Sequence, residues 1–349
     1  MNSILSTLPE PKKDMQIRKV AFAKLGQRLA ALPADQSADW QARAQYENPW
    51  FTADSVKLAI SGIATMLDAG ALDEWLNRYR FTETEPRTVG VVMAGNIPAV
   101  GFHDLMCVLL SGHTLHAKLS SQDTVLVKNL AALLTEIEPS FGGRIRFVER
   151  LTDADAFIAT GSDNSARYFK QYFGHKPHII RQNRTSCAVL TGQETAEELL
   201  ALGRDITQYF GLGCRNVSKL FVPHGFDFVR LLDAFAPLGG IGDHHKYANN
   251  YQYQRAVHLV NQVPHYDNGF LLLTENDALT APMAVVYYEY YADKTTLAER
   301  LKSSADRIQC VVSREGWWPS SVAFGQAQCP SVQDYADGVD TMQFLLSLA

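Results

Sequence analysis

Two textures of apolar spacing divide the chain. Up to about residue 80, apolar positions recur every three or four residues, the rhythm of an amphipathic helix. Residues from Ile17 to Leu32 follow it and stop at Pro33, and those from Thr52 to Leu67 follow it with Thr52 and Asp54 as start signals. This pattern predicts a helical layer covering a sheet. From Arg87 the runs shorten. Thr88-Val-Gly-Val-Val-Met93 reads as a buried strand, Ala94-Gly-Asn-Ile-Pro98 as a loop, and residues 102–110 as a helix that Gly112 ends. Strands are predicted at 114–118, 144–148 and 156–160, with a helix over 124–137. Short apolar strands alternating with amphipathic helices predict a parallel, doubly wound α/β sheet. Such sheets bind ligands at the carboxyl ends of their strands, where residues 94–98, 118–123 and 160–164 form three loops.

A second alternation begins after Arg181. It predicts strands at 187–190, 219–222, 269–273, 284–288 and 309–312, and helices at 196–209, 227–235 and 295–307. Gly211-Leu-Gly-Cys214 is read as a turn and His244-His245 as part of a loop. No internal repeat and no low-complexity linker is found.

Composition narrows the class. A chain of 349 residues is long enough for two or three domains. A net charge of −5 leaves no basic footprint for nucleic acid. No apolar run is long enough to span a bilayer and the first residues lack a signal-peptide pattern, so a cytoplasmic protein without membrane insertion is expected. Five cysteines at irregular spacings suggest neither a disulfide framework nor a zinc site, and no metal is expected.

Several residues could carry chemistry, each with a plainer reading beside it. Cys214 follows a Gly-x-Gly turn and precedes Arg215, a cation that favours thiolate; it could equally be a small buried core residue. Asn96 sits in a strand-end loop, where its amide could hold a developing oxyanion or merely support the turn. Lys118 ends a strand and suits a ribose or phosphate, or is simply solvated. Thr160-Gly161-Ser162 precedes a helix and reads as an anion site or an ordinary cap. His103, His113 and His116 are read as structural. The Gly-x-Gly-x-x-Gly dinucleotide fingerprint is missing.

The order of these motifs resembles the aldehyde-dehydrogenase superfamily. Gly95-Asn-Ile-Pro98 is similar to its Trp-Asn-Phe-Pro loop, Lys118-Leu-Ser120 to its Lys-Pro-Ser/Ala strand end, and Thr160-Gly-Ser162 to its Thr-Gly-Ser turn. Gly211-Leu-Gly-Cys214 resembles its Gly-Gln-x-Cys segment, and Phe324-Gly-Gln326 the Phe-Gly-Gly element by the substrate entrance. Within the superfamily the chain most resembles the LuxC-like acyl-CoA reductases. The Cys214 segment and the closing stretch from Ala323 to Thr341 carry that likeness.

The resemblance implies an aldehyde-dehydrogenase-like fold. Residues 1–85 would form a helical N-terminal part and 86–180 the nucleotide-binding core. Residues 181–320 would form an α/β catalytic domain, and 321–349 a tail packing back. It makes Cys214 the nucleophile and Asn96 an oxyanion donor. Lys118, Ser120, Ser121, Thr160, Gly161 and Ser162 would border the nucleotide, and Phe324 the substrate, with Phe51 and Trp75 as further candidates for an acyl channel, although core packing explains these three aromatics equally well.

Three departures sharpen the expectation. The glutamate that activates water in aldehyde-oxidising relatives has no counterpart in Ile180-Arg-Gln-Asn-Arg-Thr-Ser-Cys187, so hydride transfer to the acyl-enzyme is favoured over hydrolysis. Ser121 stands where NAD-preferring relatives often carry glutamate, which favours NADPH, with NADH as the alternative. The segment that holds the nicotinamide ribose reads Ala278-Leu-Thr-Ala-Pro282, and no residue is assigned to that task. The expected reaction is NADPH-dependent reduction of a fatty acyl-CoA or acyl-protein thioester to the aldehyde. The alternatives are an acyl-phosphate reductase and a cysteine acyltransferase that uses no nucleotide. A homo-oligomer is expected.

Overall fold

The computed structural model describes residues 10–82, 85–161, 163–314 and 317–348. The chain divides into two compact units, Met1–Gln182 with Ser331–Ala349, and Asn183–Pro330.

The first unit opens with four helices, α1 (Glu10–Ala30), α2 (Ala34–Glu47), α3 (Ala53–Met66) and α4 (Ala69–Leu76). The expected start of α3 is realised: the Thr52 hydroxyl accepts the Ser55 N–H, satisfying one of the donors a helix leaves open. Val56, Ile60 and Ile63 of α3 are buried at the spacing that keeps one helix face inward. Phe51 and Trp75, equally open to an acyl channel or to core packing, lie in this unit's hydrophobic core, 1% and 0% exposed.

The sheet of this unit is built from β1 (Thr88–Val92), β2 (Thr114–Lys118), β3 (Ile145–Phe147), β4 (Ala156–Thr160) and β5 (His178–Arg181). The helices α5 (Phe102–Leu110), α6 (Val125–Ile137) and α7 (Asp163–Phe173) connect them. Strand order is β3-β2-β1-β4-β5 and every pairing is parallel. The order reverses direction at β1, so the β1–β4 boundary is the switch point where an open α/β sheet leaves a ligand crevice. The loop after β1 carries Asn96, and β4 runs into Thr160 and Gly161.

The second unit contains β6 (Thr185–Val189), α8 (Ala196–Thr207), β7 (Val217–Pro223), α9 (Phe228–Ala234), α10 (His245–Val260), β8 (Tyr266–Asp267), β9 (Leu272–Glu275), β10 (Val285–Tyr291), α11 (Lys294–Lys302) and β11 (Ile308–Ser313). Its six strands run β11-β6-β7-β10-β9-β8, parallel except the short β8 edge. The loop expected at His244-His245 is instead the start of a helix. His244 is the residue before α10 and His245 its first residue, with the two rings stacked at 5.4 Å. The sixteen-residue helix was missed because it is polar over most of its surface, burying Tyr247, Tyr251 and His258.

The chain then returns to the first unit from Ser331 and ends in α12 (Thr341–Leu346). The return is tied by polar contacts. Trp75 Nε1 donates to Tyr335 Oη at 2.8 Å, His103 Nε2 meets the Val332 carbonyl at 3.0 Å, and His113 Nε2 meets that of Leu345 at 2.9 Å. These contacts give His103 and His113 structural roles. Residues 321–330, with Phe324, remain in the second unit.

Candidate functional site

In the second unit the sequence around Cys214 solves a helix-termination problem. The last carbonyls of α8 have no partner within the helix. Asn216 Nδ2 supplies one, donating to the carbonyls of Asp205 (3.0 Å), Ile206 (3.3 Å) and Gln208 (2.8 Å). Its Oδ1 accepts the Gly213 N–H at 2.8 Å. Between them the backbone passes through three left-handed residues, Tyr209 (φ 52°), Phe210 (φ 59°) and Gly211 (φ 76°). Only the last is glycine, and the two side-chain-bearing residues each cost about 1–2 kcal/mol there. A buried amide spending both its donor and acceptor groups on this turn is the feature that holds it. Replacing Asn216 by aspartate would face three carbonyls with an acceptor-only group. Asn216→Ala is expected to destabilise by about 2 kcal/mol, with Asn216→Asp worse. Thermal melts of the two variants check this; a parent-like Asn216→Asp would mean the turn is held otherwise.

The turn presents an exposed Cys214. Its carbonyl accepts a hydrogen bond from Ser186 Oγ at 3.1 Å. The remaining cysteines differ. Cys107 and Cys187 are fully buried, and burial pushes both thiols up, which suppresses thiolate. Cys310 is half-buried, and burial also raises the exposed Cys329. Arg215, expected to favour the thiolate, commits its Nε to the Ala327 carbonyl at 2.5 Å. The loop containing Phe324 is held from α8: Asp205 accepts the Gly325 N–H (2.6 Å) and the Ala327 N–H (3.0 Å). Phe324 is 8% exposed, so it packs inside its own unit rather than presenting a free ring. Sequence reading missed Asp205 and Asn216, both polar residues near Cys214 whose partners lie on other segments.

In the first unit, Asn96 is exposed in the loop after β1. Lys118 is exposed at the end of β2, and Thr160 and Gly161 follow at the end of β4. Ser162 lies outside the described residues. Ser120 packs tightly beneath the Asn96 loop: a Cβ on Gly95 would meet Ser120 Oγ at 2.5 Å, so only glycine fits. Ser121, at the position that bears on the cofactor, is exposed.

Lys118 also borders a cavity of 430 Å³ shared with Arg150, Tyr168, Phe169, Tyr172, Phe173 and Lys176. That volume suits a small-molecule site, typically roughly 300–1,000 Å³. Phe173 stacks on Phe157 with centroids 4.1 Å apart, which stiffens one wall. Aromatic faces beside two cations and Lys118 can take a base and a phosphate. A larger cavity of 750 Å³ lies among α1, α2 and α3, but none of the candidate residues lines it. Among the described residues there is no cluster of His, Cys, Asp or Glu able to hold a metal, and no single helix is long and apolar enough to cross a membrane.

Residues 64–227, a span that contains Asn96, Lys118, Thr160 and Cys214, match the acyl-CoA reductase (LuxC) family. No protein of curated function matches the sequence. The fold is that of the aldehyde dehydrogenases. An aldehyde dehydrogenase from Mycobacterium tuberculosis complexed with NAD+ superposes with a TM-score of 0.63 at 16% identity, over 91% of this chain and 77% of that one. A putative aldehyde dehydrogenase from Burkholderia cenocepacia gives 0.64 at 16% identity, over 86% and 74%. Aldehyde dehydrogenase 21 from Physcomitrella patens, in complex with succinate, gives 0.64 at 12% identity, over 99% and 85%. Family match and fold together support an aldehyde-related reductase or dehydrogenase.

Proposed function

We propose that the protein reduces an acyl thioester, a fatty acyl-CoA foremost, to the aldehyde through an acyl-Cys214 intermediate, with NADPH as reductant. The observation that carries this reading is the exposed Cys214 on a turn that Asn216 holds in a strained path, within the segment matching the acyl-CoA reductase family. The Cys214 thiolate attacks the thioester carbonyl, and the oxyanion is met by the Asn96 amide and a backbone N–H. Collapse expels the carrier thiolate, which takes up a proton, and leaves the acyl group on Cys214. NADPH, when bound, supplies the hydride that takes the acyl group to the aldehyde level. Release of the aldehyde then restores the Cys214 thiolate. The stretch Ile180–Cys187 offers no carboxylate to activate water, which supports reduction over hydrolysis.

For the nucleotide, the cavity beside Lys118 fits in chemistry: Lys118 would take the ribose, the aromatic wall the base, and Arg150 a 2′-phosphate. Ser121 adds no negative charge against that phosphate, and Arg150, Lys118 and Lys176 outweigh the one carboxylate, Glu149, that lines the cavity. The test is palmitoyl-CoA-dependent loss of nicotinamide absorbance with NADPH and with NADH, in the parent and in Arg150→Ala. The variant is expected to raise the KM for NADPH about 10-fold, the worth of one charge-assisted contact, while leaving that for NADH within about 2-fold. Equal changes for both cofactors would remove Arg150 and the NADPH preference together. Turnover with palmitoyl phosphate and none with palmitoyl-CoA would shift the reading to an acyl-phosphate reductase.

A further inference from the structure

The loop after β1 is gripped from below by groups that no motif contains. Three residues beyond Asn96, Ala99 is left-handed (φ 55°), a conformation a side chain disfavours. Its N–H is taken by Asp123 Oδ2 at 2.7 Å. On the other side of Asn96, the Gly95 carbonyl accepts Asn48 Nδ2 at 3.4 Å, and Gly95 sits against the Asp123 Cβ as well as Ser120. Glu47, next to Asn48, accepts the N–H groups of Thr124 (2.8 Å) and Val125 (3.1 Å), fixing the chain immediately after Asp123. Asp123 is 1% exposed, and its second oxygen, Oδ1, is buried without a hydrogen-bond partner.

We propose that Asp123 is the positioning residue of the Asn96 loop, its buried carboxyl holding Ala99 in the left-handed turn so that the Asn96 amide keeps its place. The carboxyl does this in its neutral form. A buried anion with one oxygen unpaired is far more costly than a neutral acid in the same place. Burial first, with the nearby Glu47 carboxylate adding to it, pushes Asp123 up to about 8, against the opposing hydrogen bond from Ala99. Glu47 is the titratable group that acts on it from the packed elements. A raised carboxyl pKa favours the loop as Asp123 holds it most at low pH. That advantage shrinks as pH climbs from the ordinary carboxylate range toward 8, where the ionised group is drawn to water.

The role of Asn96 as oxyanion donor rests on the function proposed above, so the experiment has one readout that depends on it and one that does not. Amide hydrogen exchange over residues 94–101 and steady-state kinetics with palmitoyl-CoA and NADPH are measured for the parent, Asp123→Asn and Asp123→Ala. Asparagine keeps a neutral acceptor for the Ala99 N–H. It is expected to retain parent exchange and a kcat within about 3-fold at neutral pH. Alanine is expected to speed exchange over 94–101 at least about 10-fold. Its kcat should fall at least about 10-fold with little change in KM, the signature of a contact made in the transition state. Toward alkaline pH, above about 8, kcat of the parent is expected to fall relative to Asp123→Asn as Asp123 ionises. Parent-like exchange in Asp123→Ala overturns the proposal. So do superimposable pH profiles for the parent and Asp123→Asn, which decide the matter should the alanine variant not fold. A parent that does not reduce palmitoyl-CoA sinks the proposed function, while exchange still decides the role of Asp123.

Discussion

Replacing Cys214 by alanine is expected to abolish thioester-dependent oxidation of NADPH, a loss of at least about 1,000-fold, since removing a nucleophile leaves only what binding and oxyanion stabilisation provide. The fold should scarcely register the change. Cys214 is exposed on its turn, and substitutions at such positions usually move stability by no more than about 0.5 kcal/mol. Cys107 and Cys187 are buried, with their ionisation suppressed, and cannot take over. Cys329→Ala, which removes the other exposed thiol, is the control and should leave the rate unchanged. Intact-mass measurement after incubation with palmitoyl-CoA alone should show an acyl adduct on the parent and none on Cys214→Ala. Undiminished reduction by the variant would eliminate the acyl-cysteine route. An adduct on the parent without NADPH oxidation would instead favour acyl transfer to another acceptor.

The parts of this protein legible in its sequence are those set by local rules. β4 falls on Ala156–Thr160 and α5 on Phe102–Leu110, because a run of buried residues bounded by turn residues leaves little choice of register. Thr52 marks the start of α3 because a hydroxyl that can accept a backbone N–H is itself the start signal. The same local rules place Asn96 just after β1 and make Lys118 and Thr160 the last residues of β2 and β4. What stayed hidden is whatever depends on partners distant along the chain. Nothing local distinguishes Asp123, held against Ala99, from a solvated aspartate before a helix. Asp205 looks like any acid in an amphipathic helix, yet it accepts two N–H groups more than 100 residues away. Phe51 and Trp75 show a choice that residue type leaves open: large aromatics suit a channel or a core equally, and packing gives them to the core. The α10 helix was lost because periodicity finds helices by their apolar stripe, and this one buries mainly tyrosine and histidine.

The largest stability loss is expected at Arg181, which ends β5. Its Nη1 meets Asp104 Oδ2 at 2.6 Å, with the two side chains 5% and 9% exposed. Its Nη2 donates to Thr341 Oγ1 at 2.8 Å, binding the start of α12 to the carboxyl end of the sheet. Asp104 lies in the first turn of α5, where a negative charge also suits the helix dipole. The pair is enclosed but incompletely satisfied, since Asp104 Oδ1 and Arg181 Nε have no hydrogen-bond partner. Such a pair adds little over an apolar packing of the same volume, yet removing one member strands the other as a buried charge. Arg181→Met is therefore expected to destabilise the first unit by about 3–5 kcal/mol. For a unit of this size that is a fall in Tm of about 6–20 °C. The double variant Asp104→Leu/Arg181→Met should recover most of that loss, because no uncompensated charge remains. Thermal melts of the two single variants and the double one decide between the alternatives. Additive losses would mean that the two side chains are not coupled and that each stabilises the unit through other contacts. Recovery in the double variant would mean that the ion pair, although it joins β5 to α5 and α12, is not itself a main source of stability.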